Sequence, residues 1–304
     1  MIIVVRSPIA LFVYNRPWHA RQAVEALQKN ELAKESELIV YCDGAKSDGD
    51  EKEVLTVRDY IDNITGFQNL TVIKKEQNLG LAESIITGVT ELCERYGRVI
   101  VVEDDLVASP HFLAYMNEAL ARYADDDRVM QISGYMFPVE LHAATDAVFL
   151  PFTTCWGWGT WQRSWRRFDP HMAGHEKIKA DRKLKYLFDL EGSYRYVDML
   201  EAQMRGKIDS WAIRWYLSVF MHGGLTLHPA KSLIKNIGFD SSGTHCRDAD
   251  MTDIIDPEFA VTTYPGIQVS EAAKRVVYRH LAGRDNLRSS IMRKMKQWMP
   301  AARR

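Results

Sequence analysis

The sequence predicts an α/β fold built on a mostly parallel sheet. Three observations predict it. Short β-rich runs alternate with helical patterns through the first half, and such alternation implies crossover units between parallel strands. The strand runs are continuously apolar, as expected of strands covered on both faces. The chain has 304 residues, 46% of them hydrophobic and 26% charged. That is enough for one large α/β domain or two ordinary ones, with a sizeable core.

The elements follow in order. Ile9–Tyr14 is a β-rich run that stops at Asn15-Arg16-Pro17. Ala20, Ala23, Val24 and Leu27 then recur at helical spacing. Leu38–Cys42 is a short strand, and Asp43-Gly44 is its stop signal. Asp50–Ile64 reads as a helix and Leu70–Ile73 as a strand. Leu81–Tyr96 is a helix with Leu81, Ile85, Val89 and Leu92 on one face. Val99–Val102 is a strand of β-branched residues. Ser109-Pro110 has the form of an N-cap followed by proline at the first helical position, which starts a helix to about Tyr123. Val129–Ser133 closes the series. Beyond about residue 150 the texture is Trp-rich and, from Glu176 to His222, mainly helical. With no repeat and no low-complexity linker, the second half reads as continuous with the first.

Charge and cysteine content exclude several classes. Lys+Arg total 39 and Asp+Glu 40, a net charge of −1, so the chain is no globally basic nucleic-acid binder. Cys42, Cys93, Cys155 and Cys246 include no C-x-x-C pair, which argues against a zinc ribbon or a thioredoxin-like site; four cysteines in so long a chain do not form a disulfide framework, which favours a reducing compartment. The apolar N-terminus is interrupted by Arg6 and Pro8 and lacks a basic region and cleavage site, so it reads as a buried strand rather than a signal peptide. No apolar stretch is long enough to span a bilayer. A cytoplasmic protein is expected, with a peripheral place on the inner face of the cytoplasmic membrane. From Arg284 to Arg304 there are seven basic residues and one acid, with Leu287, Ile291, Met292, Met295, Trp298 and Met299 interleaved. Such a basic amphipathic tail suits an anionic membrane surface, and equally a solvated terminal helix.

Chemistry is expected at the carboxyl ends of the strands, where open α/β sheets bind ligands. The sharpest feature is Glu103-Asp104-Asp105, directly after Val99–Val102. Three adjacent carboxylates repel one another and call for a positive partner. On an extended strand Glu103 and Asp105 would share one side and Asp104 the other. Hard oxygen ligands suit Mg²⁺ or Mn²⁺ bridging to substrate phosphates. A solvated acidic turn before the next helix is the competing reading. The other strand ends are polar too: Tyr14-Asn15-Arg16, Asp43-Gly44, and Asn78 to Gly80 ahead of the Leu81 helix. An Asp there can accept from a base N–H or a ribose hydroxyl, and Gly80 lets backbone approach a ligand. Each is also an ordinary turn or helix start taken singly.

This constellation resembles the GT-A fold (Rossmann-like) glycosyltransferases that use nucleotide-sugar donors, over roughly residues 8 to 245. Val-Ile-Val-Val-Glu-Asp-Asp-Leu is similar to that group's "DXD" metal motif, in the Glu-Asp-Asp form of N-acetylglucosaminyltransferase I and related bacterial sugar transferases. Pro-Ile-Ala-Leu-Phe-Val-Tyr-Asn-Arg-Pro and Asn78-Leu79-Gly80-Leu81 add to the likeness. The resemblance implies a UDP-sugar donor, a Mn²⁺ or Mg²⁺ cofactor, and an oligosaccharide or lipid-linked glycan acceptor in bacterial surface polysaccharide synthesis. It implies that Tyr14, Asn15, Arg16 and Asp43 contact uridine and ribose, with Asn78 and Gly80 beside them. Asp105 becomes the main metal ligand, and Glu103 and Asp104 face sugar and ribose. It divides the chain into a catalytic domain over 1–283 (nucleotide-sugar half about 1–135, acceptor half about 136–250) and the tail 284–304.

An inverting transferase of this kind needs a carboxylate to take the acceptor proton. Asp209, in Lys207-Ile208-Asp209-Ser210-Trp211, is the candidate, and a plain helix N-cap is the other reading. Trp156 and Trp158 lie among glycines, and one of the two is expected to line the acceptor site while the other packs. Arg214 would pair with diphosphate or with Asp209. His245, in a Gly- and Ser-containing segment, would reach the metal when that loop closes.

Rival classes fare worse. No GxxxxGK[ST] exists, since Asp50 stands where the lysine of Gly44 and Gly49 spacing would be, and no GxGxxG follows a strand. A nucleotidyltransferase would carry a Gly-rich loop after the first strand. A non-catalytic carbohydrate-binding protein would not need the three acids beside a nucleotide rim.

Overall fold

The structure is a computed structural model that describes residues 6–240 and 255–283. The helical and strand patterns of the first half become β1 (Ile9–Val13), α1 (Pro17–Gln28), β2 (Glu37–Cys42), α2 (Glu51–Ile61), β3 (Asn69–Lys74), α3 (Leu81–Tyr96) and β4 (Arg98–Glu103). A short β5 (Leu106–Ala108) follows, then α4 (Phe112–Arg122) and β6 (Val129–Ser133). The second half adds β7 (Ala147–Leu150), β8 (Trp158–Trp161), α5 (Gln162–Trp165), α6 (His175–Ala180), α7 (Arg182–Phe188) and α8 (Tyr196–Met204). It closes with α9 (Trp211–Met221), β9 (Leu225–Pro229), β10 (Ile234–Asn236) and a helix over 271–283.

The main sheet has eight strands in the order β3-β2-β1-β4-β8-β6-β9-β7. Pairing is parallel except where β8 joins β4 and β6 and where β7 joins β9. The predicted mostly parallel α/β architecture is therefore the observed one. Strand order reverses at β1: β2 and β3 lie to one side, β4 to the other. Phe12 pairs with Glu103 in the β1–β4 register, so the chain leaving β1 and the acids leaving β4 emerge side by side. This is the topological switch point at which such sheets bind ligands.

Side-chain alternation divides the core. Ile9, Leu11 and Val13 of β1 and Ile100 and Val102 of β4 pack under α1, α2 and α4. Ala10 and Phe12, with Val99 and Val101, face α3 and a tryptophan group of Trp158, Trp165, Trp211 and Trp215. A third cluster joins α6 to α9 with the helix over 271–283.

One expectation is corrected, and the helical reading of Glu176 to His222 is borne out in finer form. The helix after β4 begins at Phe112, not at Pro110, because Ser109 N–H bonds to Leu233 O (2.8 Å) and keeps Ser109 with the β5–β10 pair. The region from Glu176 to His222 is four helices broken by positive-φ residues at Leu190, Glu191 and Gly192 and again at Gly206. The segment Trp158–Trp161 forms a fully buried central strand that four residues were too few to reveal by periodicity.

His228 on β9 gives the fold a pH dependence. Its imidazole is wholly buried, with Nδ1 3.1 Å from Tyr135 O and Nε2 3.4 Å from Phe152 O. Burial pushes its pKa down to about 4. An unfolded His titrates near 6.5, so the unfolded chain binds the extra proton first. Stability is full above about pH 6.5 and falls as pH drops toward 4. Between pH 7 and 5 this one group is expected to cost about 2 kcal/mol. Urea titrations at both pH values should show the loss, and His228→Gln should remove that component; an unchanged pH slope in the variant would assign it to other groups.

Candidate functional site

The loop between β1 and α1 is anchored through Asp50. The Tyr14 hydroxyl donates to Asp50 Oδ2 (3.1 Å) and accepts from Lys46 N–H (2.9 Å). Asn15 Nδ2 donates to Asp50 Oδ1 (3.0 Å), and Ser47 Oγ donates to Oδ2 (3.0 Å). Hydrogen bonds from Ser47, Tyr14 and Asn15 hold the Asp50 carboxyl below its ordinary range. Burial raises the Tyr14 phenol. Tyr14 and Asn15 thus sit at the switch point as expected, but their side chains brace the loop after β2. Asp50 was not singled out as a partner from sequence; only the folded loop brings it to Tyr14.

Asp43 is buried and its carboxylate accepts from three backbone N–H groups: Gly44 (3.0 Å), Leu79 (2.8 Å) and Gly80 (2.9 Å). Asn78 Nδ2 donates to Gly44 O (2.8 Å). Asp43 and the Asn78–Gly80 loop therefore form one hydrogen-bonded unit at the ends of β2 and β3. Gly80 has φ +78° and open space where a Cβ would stand. Its glycine is required by backbone conformation at the head of α3 rather than by close packing.

The acids leave β4 in a turn rather than along a strand. Glu103 is the last residue of β4, Asp104 and Asp105 form the turn, and β5 begins at Leu106. The expected alternation is corrected accordingly: Asp104 and Asp105 share one cation. Arg16 Nη2 bonds to Asp104 Oδ1 and also reaches Asp105 Oδ2 (3.1 Å), while Nε lies 3.4 Å from Asp104 Oδ2. Burial lifts the Asp104 carboxyl to about 6 against the pull of Arg16. The Glu103 carboxyl rises well above the ordinary range, first through burial and then through Asp105 and Asp104. The Arg16 guanidinium is held protonated more firmly still by Asp104 and Asp105.

A second strand pair closes over this turn. β10 pairs antiparallel with β5, and Ile237 N–H bonds to Asp105 O (2.9 Å). Gly238 then passes so close that a methyl group there would collide with the Asp105 carboxylate and crowd Arg16. Farther on, Asp240 pairs with His19 Nε2 (3.2 Å). His245 lies outside the described residues.

Among the described residues no three His, Cys, Asp or Glu side chains form a cage for a metal. Mg²⁺ and Mn²⁺ do not need one: they take one or two carboxylates and complete their shell with water and substrate phosphates. The buried Asp104–Asp105 turn, whose two carboxylates pair with Arg16, has the oxygen chemistry for such an ion.

The remaining candidates lie at α9. Its N-cap is Ser210, whose Oγ accepts from Ile213 N–H (3.4 Å), so Asp209 is not the cap. Asp209 stands one residue outside, exposed, and pairs with Arg214. Trp156 and Trp158 part company. Trp158 has no exposed surface and stacks on Trp211 at 4.9 Å, so it packs the core and cannot line an acceptor site. Trp156 is half-buried and lines a cavity of about 290 Å³ with Tyr135, Tyr196, Trp211 and Phe239. Tyr135, Tyr196 and Phe239 lay in segments whose pattern carried no sign of a shared cavity.

The family "Glycosyl transferase family 2" matches residues 9–172, more than half of the chain and the part that carries the acidic turn. The chain belongs to glycosyl transferase family 2. No curated protein matches this family 2 member in sequence. Solved structures to which the chain is similar include the mannosyltransferase PcManGT from Pyrobaculum calidifontis in complex with GDP-Man and Mn²⁺, at 12% identity and TM-score 0.42, covering 72% of this chain and 69% of that one. S. aureus TarS matches at 13% identity and TM-score 0.40, covering 75% of this chain and 36% of that one. In this family 2 member the acids, Arg16 and the β1 loop lie together at the switch point of the sheet. None of its described helices is long and apolar enough to cross a membrane.

Proposed function

We propose that this glycosyltransferase moves a hexosyl or N-acetylhexosaminyl group from a UDP-sugar to a glycan hydroxyl, with inversion, in bacterial surface polysaccharide synthesis. The observation that carries the reading is the acidic turn Glu103–Asp105 at the switch point, beside the polar rim of Tyr14, Asn15, Arg16 and Asp43. Asp105 and Asp104 would hold Mn²⁺ or Mg²⁺, which supplies charge neutralisation for the departing diphosphate. Arg16, on the nucleotide side of the site, would turn from the acids toward the donor, whose phosphate oxygens suit its planar fork. The braced loops at Asp50 and Asp43 fix the shape of the nucleotide pocket before the donor arrives, so little binding energy is lost in ordering them. The carboxylate of Asp209 takes the proton of the attacking hydroxyl, and Arg214 orients it. Trp156 faces the acceptor.

A panel of nucleotide sugars incubated with Mn²⁺ tests the reading. Hydrolysis or transfer from a UDP-sugar, with the product anomer inverted by NMR, is the expected result; no turnover of any UDP-sugar would overturn it. Asp209→Asn should keep donor binding and lower transfer by about 100-fold or more, the size of a general-base contribution. Near-normal turnover would remove Asp209 from the mechanism. The tail 284–304 lies outside the described residues. From its sequence it is proposed to hold the enzyme on an anionic membrane, where a lipid-linked acceptor would be found. Removing residues after Gly283 should abolish sedimentation with vesicles rich in phosphatidylglycerol, and unchanged co-sedimentation would refute this role.

A further inference from the structure

We infer that the aromatic cavity beside the acidic turn receives an apolar aglycone, a hydrocarbon or aryl group attached to the acceptor sugar. The inference rests on the transferase reading and adds the chemical class of its acceptor.

Position comes first. Phe239, on the cavity wall, directly follows Gly238, which lies against Asp105. Trp156 stands 5.7 Å from the Phe239 ring and 4.5 Å from that of Tyr135, both edge-on. The first turn of α9, Trp211 to Ile213, also lines the cavity and begins two residues after Asp209. The cavity wall is therefore joined in sequence both to the strand segment over the acidic turn and to the candidate base.

Lining comes second. The walls are mostly rings and aliphatic groups, with Met199, Ile213 and Leu281 among them. Several polar atoms on the wall are already spent. Trp215 Nε1 donates to Gln131 Oε1 (2.6 Å), the Tyr216 hydroxyl donates to Phe188 O (2.9 Å), and Thr154 Oγ1 is hydrogen-bonded to Ser133 Oγ (2.5 Å). A sugar ring carries a hydroxyl on most carbons, and hydroxyls buried without partners are penalised. A hydrocarbon or aryl group has none to satisfy. The cavity, at about 290 Å³, falls at the small end of ligand sites, which run from about 300 to 1,000 Å³. It fits part of a chain or one or two rings rather than a whole glycan.

The test compares octyl, phenyl and methyl β-glucosides, each below any micelle-forming concentration, by quenching of tryptophan fluorescence. Each buried methylene adds about fourfold in affinity. Octyl or phenyl glucoside should therefore bind at least about tenfold more tightly than methyl glucoside, and the better of the two identifies the aglycone as chain or ring. Ala212→Phe fills the cavity from its half-buried wall and should abolish the preference; Ala212→Leu, a smaller filler, serves if the first variant fails to fold. Equal binding of all three glucosides, or a preference that survives a folded filled variant, overturns the inference. Binding of UDP with Mn²⁺ is measured on the same samples. If it persists while the preference is missing, this inference alone falls. If it is lost in the wild type while the preference stands, the transferase reading falls and the apolar site remains.

Discussion

Arg16→Ala is expected to destabilise the fold by about 3 kcal/mol in the presence of a chelator, and Mn²⁺ with UDP is expected to restore much of that loss. Asp104 and Asp105 keep only 5% and 12% of their side-chain surface exposed, and Arg16 is the cation paired with both. Removing one partner of a buried ion pair leaves an uncompensated charge, which costs about 3–5 kcal/mol. A divalent ion bound at the same carboxylates would supply the missing positive charge, and anything that binds only the native state stabilises it. Urea denaturation with and without metal reads both effects without any need for turnover. A loss below about 0.5 kcal/mol would mean that Arg16 does not hold the acids. A full loss that Mn²⁺ leaves untouched would mean that the turn does not take the metal.

Asp105→Ala should act on the other side of the same balance. Turnover is expected to fall by about 100- to 1,000-fold, while stability stays level or rises. The first effect follows from losing the carboxylate proposed to place positive charge against the leaving diphosphate, since one such electrostatic contact is worth about 10²–10³ in rate. The second follows from relief of repulsion with Asp104 and Glu103, whose carboxyl is driven upward first by burial and then by its two acidic neighbours. Sites that hold like charges together for function are strained in this way. Single-turnover assays alongside thermal unfolding would check it. A variant that keeps its rate, or that loses rate only because it unfolds, would sink the assignment.

Much of the site's location was readable along the chain. The apolar run of β4 followed directly by three acids, and the polar residues after β1 and β2, marked one edge of a parallel sheet. The helix Leu81–Tyr96 appears with the same bounds in sequence and structure because sixteen residues carry a clear periodicity and Gly97 ends it in a left-handed cap. Asp50–Ile64 shrinks to Glu51–Ile61, a fraying of helix ends that pattern does not resolve. The strands β5, β7, β8, β9 and β10 have three to five residues each and left no periodic trace.

The fate of single residues was less legible. Trp156 and Trp158 are separated by one glycine and have the same local composition, yet one lines a cavity and the other is sealed in the core. The difference is that β8 inserts between β4 and β6, so Trp158 pairs with Val101 and Ser133 while Trp156 stays outside the sheet. Asp209 similarly had the form of a cap, but Ser210 takes that place and leaves the carboxylate to Arg214.

The sequence by itself determined a parallel α/β core, the polar edge of the sheet that carries the candidate site and the acids that mark it. These are local properties, written in hydrophobic period and in the residues that follow each strand. Only the tertiary structure decided that Arg16 neutralises Asp104 and Asp105, that Asp43 is bound into the Asn78–Gly80 loop, and that an aromatic cavity opens beside Gly238. Those contacts join residues tens of positions apart. They depend on the order in which strands pair, and no local pattern encodes that order.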